Sequence, residues 1–385
     1  MSKEESGHAA LLVLEDGTAY WGMSVGAPGE TFGEVVFNTG MTGYQEVLTD
    51  PSYLGQIVVM TYPEVGIYGV NEEDAESGRI QVAGFVVHRA VRQPFNHRAT
   101  RSFTDYLTRA GIVALEGVDT RALTRRIRTQ GAMRAAISTL DLLPESLLAR
   151  VRASPPMAGR NLVQELRRTG AGPRSSRSAR GMPAGQARSA ALHVVVVDAG
   201  AKGSIVSALA GRGARVSLVP FDASAEHILG LAPDGVLVSN GPGDPATLHA
   251  TIETMRRLLE HAVPLGGICL GHQLLGLALG GATYKMRFGH RGINHPVKDL
   301  ASGRVLVTTQ NHGFAVDPTS LGIAWEPLDA AFVPSQPHLL GERPAGAEGV
   351  TMAERLPTTT LVGASPLGYG PVEITQLSLN DGTLE

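Results

Sequence analysis

The chain has 385 residues, 43% of them hydrophobic and 18% charged, with a formal net charge of −3. These values fit a globular chain of two or three domains with sizeable cores and argue against a nucleic-acid binder. One cysteine excludes an internal disulfide and fits a reducing cytoplasm. The polar start Met1-Ser2-Lys3-Glu4-Glu5 has no apolar signal core, and no apolar run is long enough for a membrane span. A cytoplasmic address with no membrane partner is therefore expected.

The first part, to about Ile137, is rich in Val, Thr, Gly and Tyr. Residues 10–14 and 56–60 read as strands, and residues 119–128 as a helix capped by Asp119 or Thr120. The predicted fold class of this part, residues 1–150, is α+β, mostly β. Residues 151–191 form a linker region, whose end from about Thr169 is dominated by Gly, Ser, Arg, Pro and Ala and reads as solvated loop.

Residues 192–385 form the last domain, which changes to alternating strands and helices. Strands are expected at 193–197, 215–219 and 235–239, and helices at 204–211, 225–231 and 246–261. A short buried strand at 263–268 and an apolar helix at 270–279 follow. This order predicts an α/β fold with an open, mostly parallel sheet covered by helices on both faces. Ligands of such sheets bind beyond the carboxyl ends of the strands. Asn240-Gly241-Pro242-Gly243-Asp244-Pro245 follows one strand end and Cys269 another.

Cys269 sits in Gly267-Ile268-Cys269-Leu270-Gly271-His272-Gln273. A lone cysteine is commonly a small buried hydrophobe. Here it lies on a strand-to-helix turn between two glycines, the setting of an exposed nucleophile that needs small neighbours. The helix N-terminus favours a thiolate at that point. The N–H of Leu270, with the Gly241–Gly243 turn, is a credible oxyanion hole. Gly-x-Cys-x-Gly alone fits several cysteine hydrolases. His272 lies one turn on, where a side chain usually points away from the elbow. A strand at 305–309 leads to the polar patch Gln310-Asn311-His312-Gly313-Phe314, in which Asn311 suits an amino-acid head group. His290, His295 and His312 are candidates by identity alone. No Cys/His spacing suggests zinc, no metal site is expected, and no Walker or dinucleotide glycine pattern occurs.

The cysteine turn and Ser239-Asn240-Gly241-Pro242-Gly243-Asp244-Pro245 together resemble a class I glutamine amidotransferase domain. The segment Phe37-Asn38-Thr39-Gly40-Met41-Thr42-Gly43-Tyr44-Gln45-Glu46-Val47-Leu48-Thr49-Asp50-Pro51-Ser52-Tyr53 resembles the glutamine-hydrolysing small subunit of carbamoyl-phosphate synthetase, as do Thr61-Tyr62-Pro63 and Phe288-Gly289-His290-Arg291-Gly292-Ile293-Asn294-His295-Pro296-Val297-Lys298. The resemblance runs from about Leu11 to about Leu321, apart from the linker. It implies glutamine hydrolysis through a thioester on Cys269, with glutamine held at Ser52, Gly241, Gly243, Leu270, Gln273, Asn311, Gly313 and Phe314. It implies a large-subunit partner that receives ammonia and makes carbamoyl phosphate from bicarbonate for arginine and pyrimidine biosynthesis. ATP and a divalent cation are expected in that partner, and no cofactor in this chain.

The sequence departs from the family in two places. The family's base comes from a His-Pro-Glu motif shortly after an Asn-Asp-Gly-Thr turn. Here Asn380-Asp381-Gly382-Thr383 is followed by Leu384 and Glu385, and no His-Pro-Glu occurs. His338 with Glu342 is spaced differently and is not a substitute. The Pro-rich stretch at about 325–370 is longer than the family's connection and reads as loop or disorder. A second reading is therefore a non-catalytic or weakly active subunit that supports ammonia-dependent synthesis. A third, a stand-alone cysteine hydrolase, is opposed by the N-terminal motifs.

Overall fold

The computed structural model describes residues 8–170, 192–325, 356–357 and 360–384. Residues 171–191 of the expected linker, most of the 325–370 stretch, and His338 with Glu342 lie outside the described residues. The chain divides into two compact units, residues 1–275 and 276–385.

The first unit begins with β1 (Ala9–Leu14), β2 (Ala19–Ser24), β3 (Glu30–Asn38), α1 (Tyr44–Thr49), β4 (Gln56–Met60), β5 (Glu64–Val65) and β6 (Gly84–Val86). It continues through β7 (Arg89–Ala90), α2 (Phe103–Arg109), β8 (Val113–Glu116), α3 (Thr120–Gln130), β9 (Met133–Ser138) and α4 (Pro144–Ala153). Seven strands close a barrel in the order β1-β2-β8-β6-β4-β3-β9. Closure removes the exposed edges that an open sheet would present. The runs Leu11-Leu12-Val13-Leu14 and Ile57-Val58-Val59-Met60 are buried on both faces, which explains why they are continuous rather than alternating. Leu11, Val13 and Ala136 pack on Leu147 and Val151 of α4, while Val58, Met60 and Phe85 join Leu48 of α1 and Phe103 and Leu107 of α2. Asp119 caps α3 by accepting from the N–H of Ala122 at 2.9 Å.

After α5 (Leu162–Arg168), which makes part of the expected linker helical, come β10 (His193–Asp198), α6 (Gly203–Gly211), β11 (Arg215–Pro220), α7 (Ala225–Gly230), β12 (Gly235–Val238), α8 (His249–Glu260), β13 (Leu265–Gly267) and α9 (Leu270–Ala278). The four strands form a parallel sheet in the order β11-β10-β12-β13. With the right-handed crossovers that parallel strands follow as a rule, this order assigns α6 to one face and α7 with α8 to the other. Two expectations are corrected here. The helix expected at 246–261 starts later, because Asp244 caps a 3₁₀ turn at Pro245–Thr247 before α8 begins. The strand before Cys269 is half-exposed rather than buried, because β13 is an edge strand of only three residues.

The second unit contains a long hairpin of β14 (Ala282–Asp299) and β15 (Val305–Asp317), followed by β16 (Leu361–Ala364), β17 (Pro371–Ile374) and β18 (Gln376–Ser378). The 325–370 stretch is thus not wholly irregular, since β16 pairs with β17. Leu300, Val316, Leu321, Ile323, Ile374 and Leu377 form the core of this unit. The Asn380–Thr383 turn is tied into it. The N–H of Ser378 donates to the Thr383 carbonyl at 2.8 Å, and the Trp325 indole N–H donates to the Gly382 carbonyl at 2.8 Å.

His290 Nε2 lies 2.8 Å from Asp381 Oδ2, with His290 buried. Burial alone would raise the Asp381 carboxyl. The hydrogen bond and charge of His290, with the Thr383 N–H, outweigh it and hold the pKa at about 2, below the ordinary 3.8. A carboxylate depressed by folding stabilises fully above its unfolded pKa, and that contribution is lost as pH falls through the folded value. Between pH ~4 and ~2 this pair should therefore lose roughly 2 kcal/mol. Denaturant titrations at several pH values should show that much less acid sensitivity in Asp381→Asn, with lower stability at neutral pH. An unchanged acid limb would contradict the assignment.

Candidate active site

Cys269 adopts φ 54°, in the left-handed region, between β13 and α9. Only two other non-glycine residues, Ala232 and Ala262, have positive φ among the described residues. Its flanking glycines have a steric cause. A β-carbon on Gly271 would stand 2.1 Å from the Val238 carbonyl oxygen, and one on Gly267 would stand 2.2 Å from the Gly271 carbonyl carbon. The elbow therefore lies directly on the end of β12. The Ile268 N–H donates to the Val238 carbonyl at 3.0 Å, and the Gly271 N–H to the Ser239 carbonyl at 3.1 Å. The N–H groups that open α9 are among those no intrahelical carbonyl can reach.

The turn after β12 meets this elbow. A β-carbon on Gly241 would fall 2.2 Å from the Ala199 carbonyl oxygen and 2.7 Å from Leu270 Cδ2. The chain after β10, the turn after β12 and the start of α9 thus converge at the carboxyl end of the sheet. This is the crevice where strand order reverses about β10. Gly243 has φ 93°, and a β-carbon there would lie 2.8 Å from the Arg160 carbonyl oxygen.

Asn240 joins this rim to the barrel. Its Nδ2 donates to Ser52 Oγ at 2.9 Å and to the Gly200 carbonyl at 3.0 Å, and lies 3.4 Å from Asp50 Oδ1. Its Oδ1 accepts from the Lys202 N–H at 3.1 Å. Ser52 is itself fixed, because its N–H donates to Asp50 Oδ1 at 2.9 Å in a 3₁₀ turn. Nearby, Glu76 accepts from Ser204 N–H at 3.0 Å and Ser204 Oγ at 2.9 Å at the start of α6, and pairs with Lys202 Nζ at 3.3 Å. Burial pulls the Lys202 ammonium pKa down, but Asp50 and Glu76 outweigh it, so Lys202 stays charged.

Of the residues singled out from sequence, the first unit brings together Ser52, Gly241, Gly243, Cys269, Leu270 and Gln273, the last buried one turn along α9. Asn311, Gly313 and Phe314 belong to the second unit. They do not follow a strand ending at 309, as expected, but lie within β15 itself. There Asn311 pairs with Arg291 and Phe314 with Lys285 of β14. The strand continues because β14 supplies partners to residue 317, with register shifts on either side of His290–Gly292. His312 Nδ1 is 2.9 Å from the Phe314 carbonyl oxygen, and Lys285 Nζ sits 5.1 Å over the Phe314 ring. Asp50, Glu76 and Lys202 were missed. Asp50 carried a signal, an aspartate before Pro51 at a helix start. Glu76 and Lys202 carried none, because their pairing spans distant parts of the chain.

Residues 12–137 match the family model for the carbamoyl-phosphate synthase small chain, CPSase domain, and residues 195–335 match glutamine amidotransferase class-I. The chain is 57% identical over 376 residues to the carbamoyl phosphate synthase small chain of Thermotoga maritima, covering 98% of this chain and 89% of that one. Small chains of the same name from Rhodopirellula baltica and a Nostoc species are 51% and 52% identical over 323 and 316 residues. Each comparison covers 81% of this chain, with 82% and 81% of the respective relatives.

Gly271 has no positive φ, so its intolerance of a side chain is purely steric. Gly271→Ala should destabilise the chain by about 3 kcal/mol, the upper end for overpacking, because the atoms it meets are backbone. Gly211→Ala, where a β-carbon meets nothing within 4 Å, should stay within ~1 kcal/mol of the parent. Chemical denaturation of both variants checks the contrast.

Proposed function

The chain belongs to the carbamoyl phosphate synthase small chain family, and from that premise we propose that it hydrolyses glutamine with Cys269 as nucleophile. The observation that carries this reading is the Cys269 elbow, left-handed at the start of α9 and packed through Leu270 against Gly241. The helix terminus favours the thiolate. In the proposed reaction the sulfur attacks the side-chain amide carbon of glutamine. The resulting oxyanion is met by the N–H groups of Leu270 and Gly241. The C–N bond then breaks, nitrogen takes up a proton and leaves as ammonia, and water hydrolyses the thioester to glutamate and free thiol. The residues proposed to hold the substrate are Ser52, Gly243, Gln273, Asn311, Gly313 and Phe314.

The reading includes a large partner subunit that uses ATP and a divalent cation to turn bicarbonate and the released ammonia into carbamoyl phosphate. It places the complex in the cytoplasm, upstream of arginine and pyrimidine biosynthesis. It is supported by the family membership and by the barrel, which is anchored to the sheet at Asn240 and Glu76. No helix among the described residues is long and apolar enough to cross a membrane.

One observation favours a second reading. The 385 residues contain no His-Pro-Glu to carry protons between sulfur and nitrogen. Ammonia is a poor leaving group unless protonated, whereas thiolate attack needs no base. A polypeptide of these residues should therefore form the thioester yet turn over slowly.

Two experiments test these readings. A glutamine-mimicking electrophile should modify Cys269 faster than a free thiol at the same pH, as read by mass spectrometry. Equal rates would overturn the elbow assignment. The second experiment reconstitutes these 385 residues with a synthase large subunit. Synthesis from ammonium chloride should proceed, while synthesis from glutamine should be about 10³–10⁶ slower than with an intact triad. Glutamine turnover at ordinary enzyme rates, roughly 1–10³ s⁻¹, would show that another group serves as base.

A further inference from the structure

The barrel carries a second concave site, whose charge the proposed amidotransferase chemistry does not use. It is a cleft of about 770 Å³, floored by the chain around Ser77–Ala83 and walled by α2 and the start of α5. That volume falls within the range of about 300–1,000 Å³ typical of small-ligand pockets. Four arginines, Arg79, Arg101, Arg109 and Arg160, line it against two carboxylates, Glu72 and Glu165. A net positive lining of this kind in one concavity raises the local concentration of anions.

Three of the arginines have acidic partners. Arg160 pairs with Glu165 at 3.1 Å, Arg109 with Asp105 at 2.8 Å, and Arg101 loosely with Glu72 at 3.8 Å. Arg79 differs. Its Nη2 donates to the neutral Thr169 hydroxyl at 2.9 Å, and among the described residues no carboxylate pairs with it. A guanidinium has five N–H donors in a fixed fork suited to phosphate and carboxylate oxygens, and this hydrogen bond uses one. Beside it, a β-carbon on Gly78 would meet nothing within 4 Å, so the backbone there borders open space that a ligand can enter.

We propose that this cleft binds a small polyanion, a metabolite carrying phosphoryl or carboxylate groups, with Arg79 as its anchor and Arg101, Arg109 and Arg160 as the surrounding field. The lining of the cleft includes neither Cys269 nor any residue proposed to hold glutamine.

The test is isothermal titration calorimetry of the full chain at about 50 mM salt, where screening is modest, with inorganic pyrophosphate and citrate as probes. At least one probe should saturate a single site per chain, and the tighter of the two identifies a phosphoryl or a carboxylate ligand. Arg79→Gln should weaken binding about tenfold or more, as expected on losing one charge-assisted contact. Gly78→Leu, which fills the open space, should block both probes without removing charge. Arg212→Gln, an exposed arginine on α6 outside the cleft, should bind as the parent does. No saturable binding at millimolar concentration, or equal weakening by Arg212→Gln, would overturn the proposal. Cys269 labelling, measured on the same variants, should be unchanged. Failure of the amidotransferase reading is thereby distinguishable from failure of this one.

Discussion

The contact on which the site depends is the one with no room for a β-carbon, where the Cys269 elbow rests on the last carbonyls of β12. A β-carbon on Gly271 would meet the Val238 carbonyl and one on Gly267 would meet Gly271, both at distances that real β-carbons essentially never show. The turn leaving that strand packs against the same elbow. It passes over Ala199 and under Leu270, and at Gly241 it again leaves no space for a side chain. Three strand ends are thus held within a few ångströms by backbone contacts. Such contacts have less freedom to rearrange than side-chain packing. The left-handed φ of Cys269 is the local cost of the arrangement, of order 1–2 kcal/mol for a non-glycine residue.

The same region is unusually polar for a junction inside one compact unit. Asp50, Ser52, Glu76 and Asn240 are all buried, and Lys202 is half-buried. Buried polar groups are costly unless their partners are present. Here the partners come from opposite ends of the first unit, so they are satisfied only when barrel and sheet are both folded. The junction thereby makes correct docking of the barrel a condition for burying these groups at all. An apolar junction would tolerate sliding. This one fixes Ser52 against Asn240, the residue that begins the Gly241–Gly243 turn.

Much of this was legible in the sequence, for identifiable reasons. Strands buried on both faces read as continuous runs, as at Ile57–Met60 and Val195–Val197. The cap at Asp119 and the strand-turn-helix around Cys269 are local patterns whose physical cause lies within a few residues. What was not legible depended on distant partners. The strand after Val305 was expected to end at Thr309, because Gln310 to Gly313 are polar or small. Pairing with β14 carries it on to Asp317. The edge position of β13 could not be read from its apolar composition. Glu76 lay in an acidic stretch that resembles any solvated loop until Ser204 and Lys202 are brought to it.

The division between what backbone and side chains supply bears on the chemistry as well. The elements proposed for attack and oxyanion stabilisation are a thiol at a helix terminus and two N–H groups, all fixed by glycine contacts and hydrogen bonds to β12. The proposed later steps also need a proton carrier, most often a titratable side chain. Among the described histidines of the second unit, His290 and His312 have structural partners there. His290 faces Asp381 and holds the Asn380–Thr383 turn, and His312 faces the Phe314 carbonyl across its own strand. Releasing His290 for proton transfer would leave Asp381, whose low pKa depends on it, buried without its main partner. His290 and His312 are therefore accounted for as parts of the hairpin.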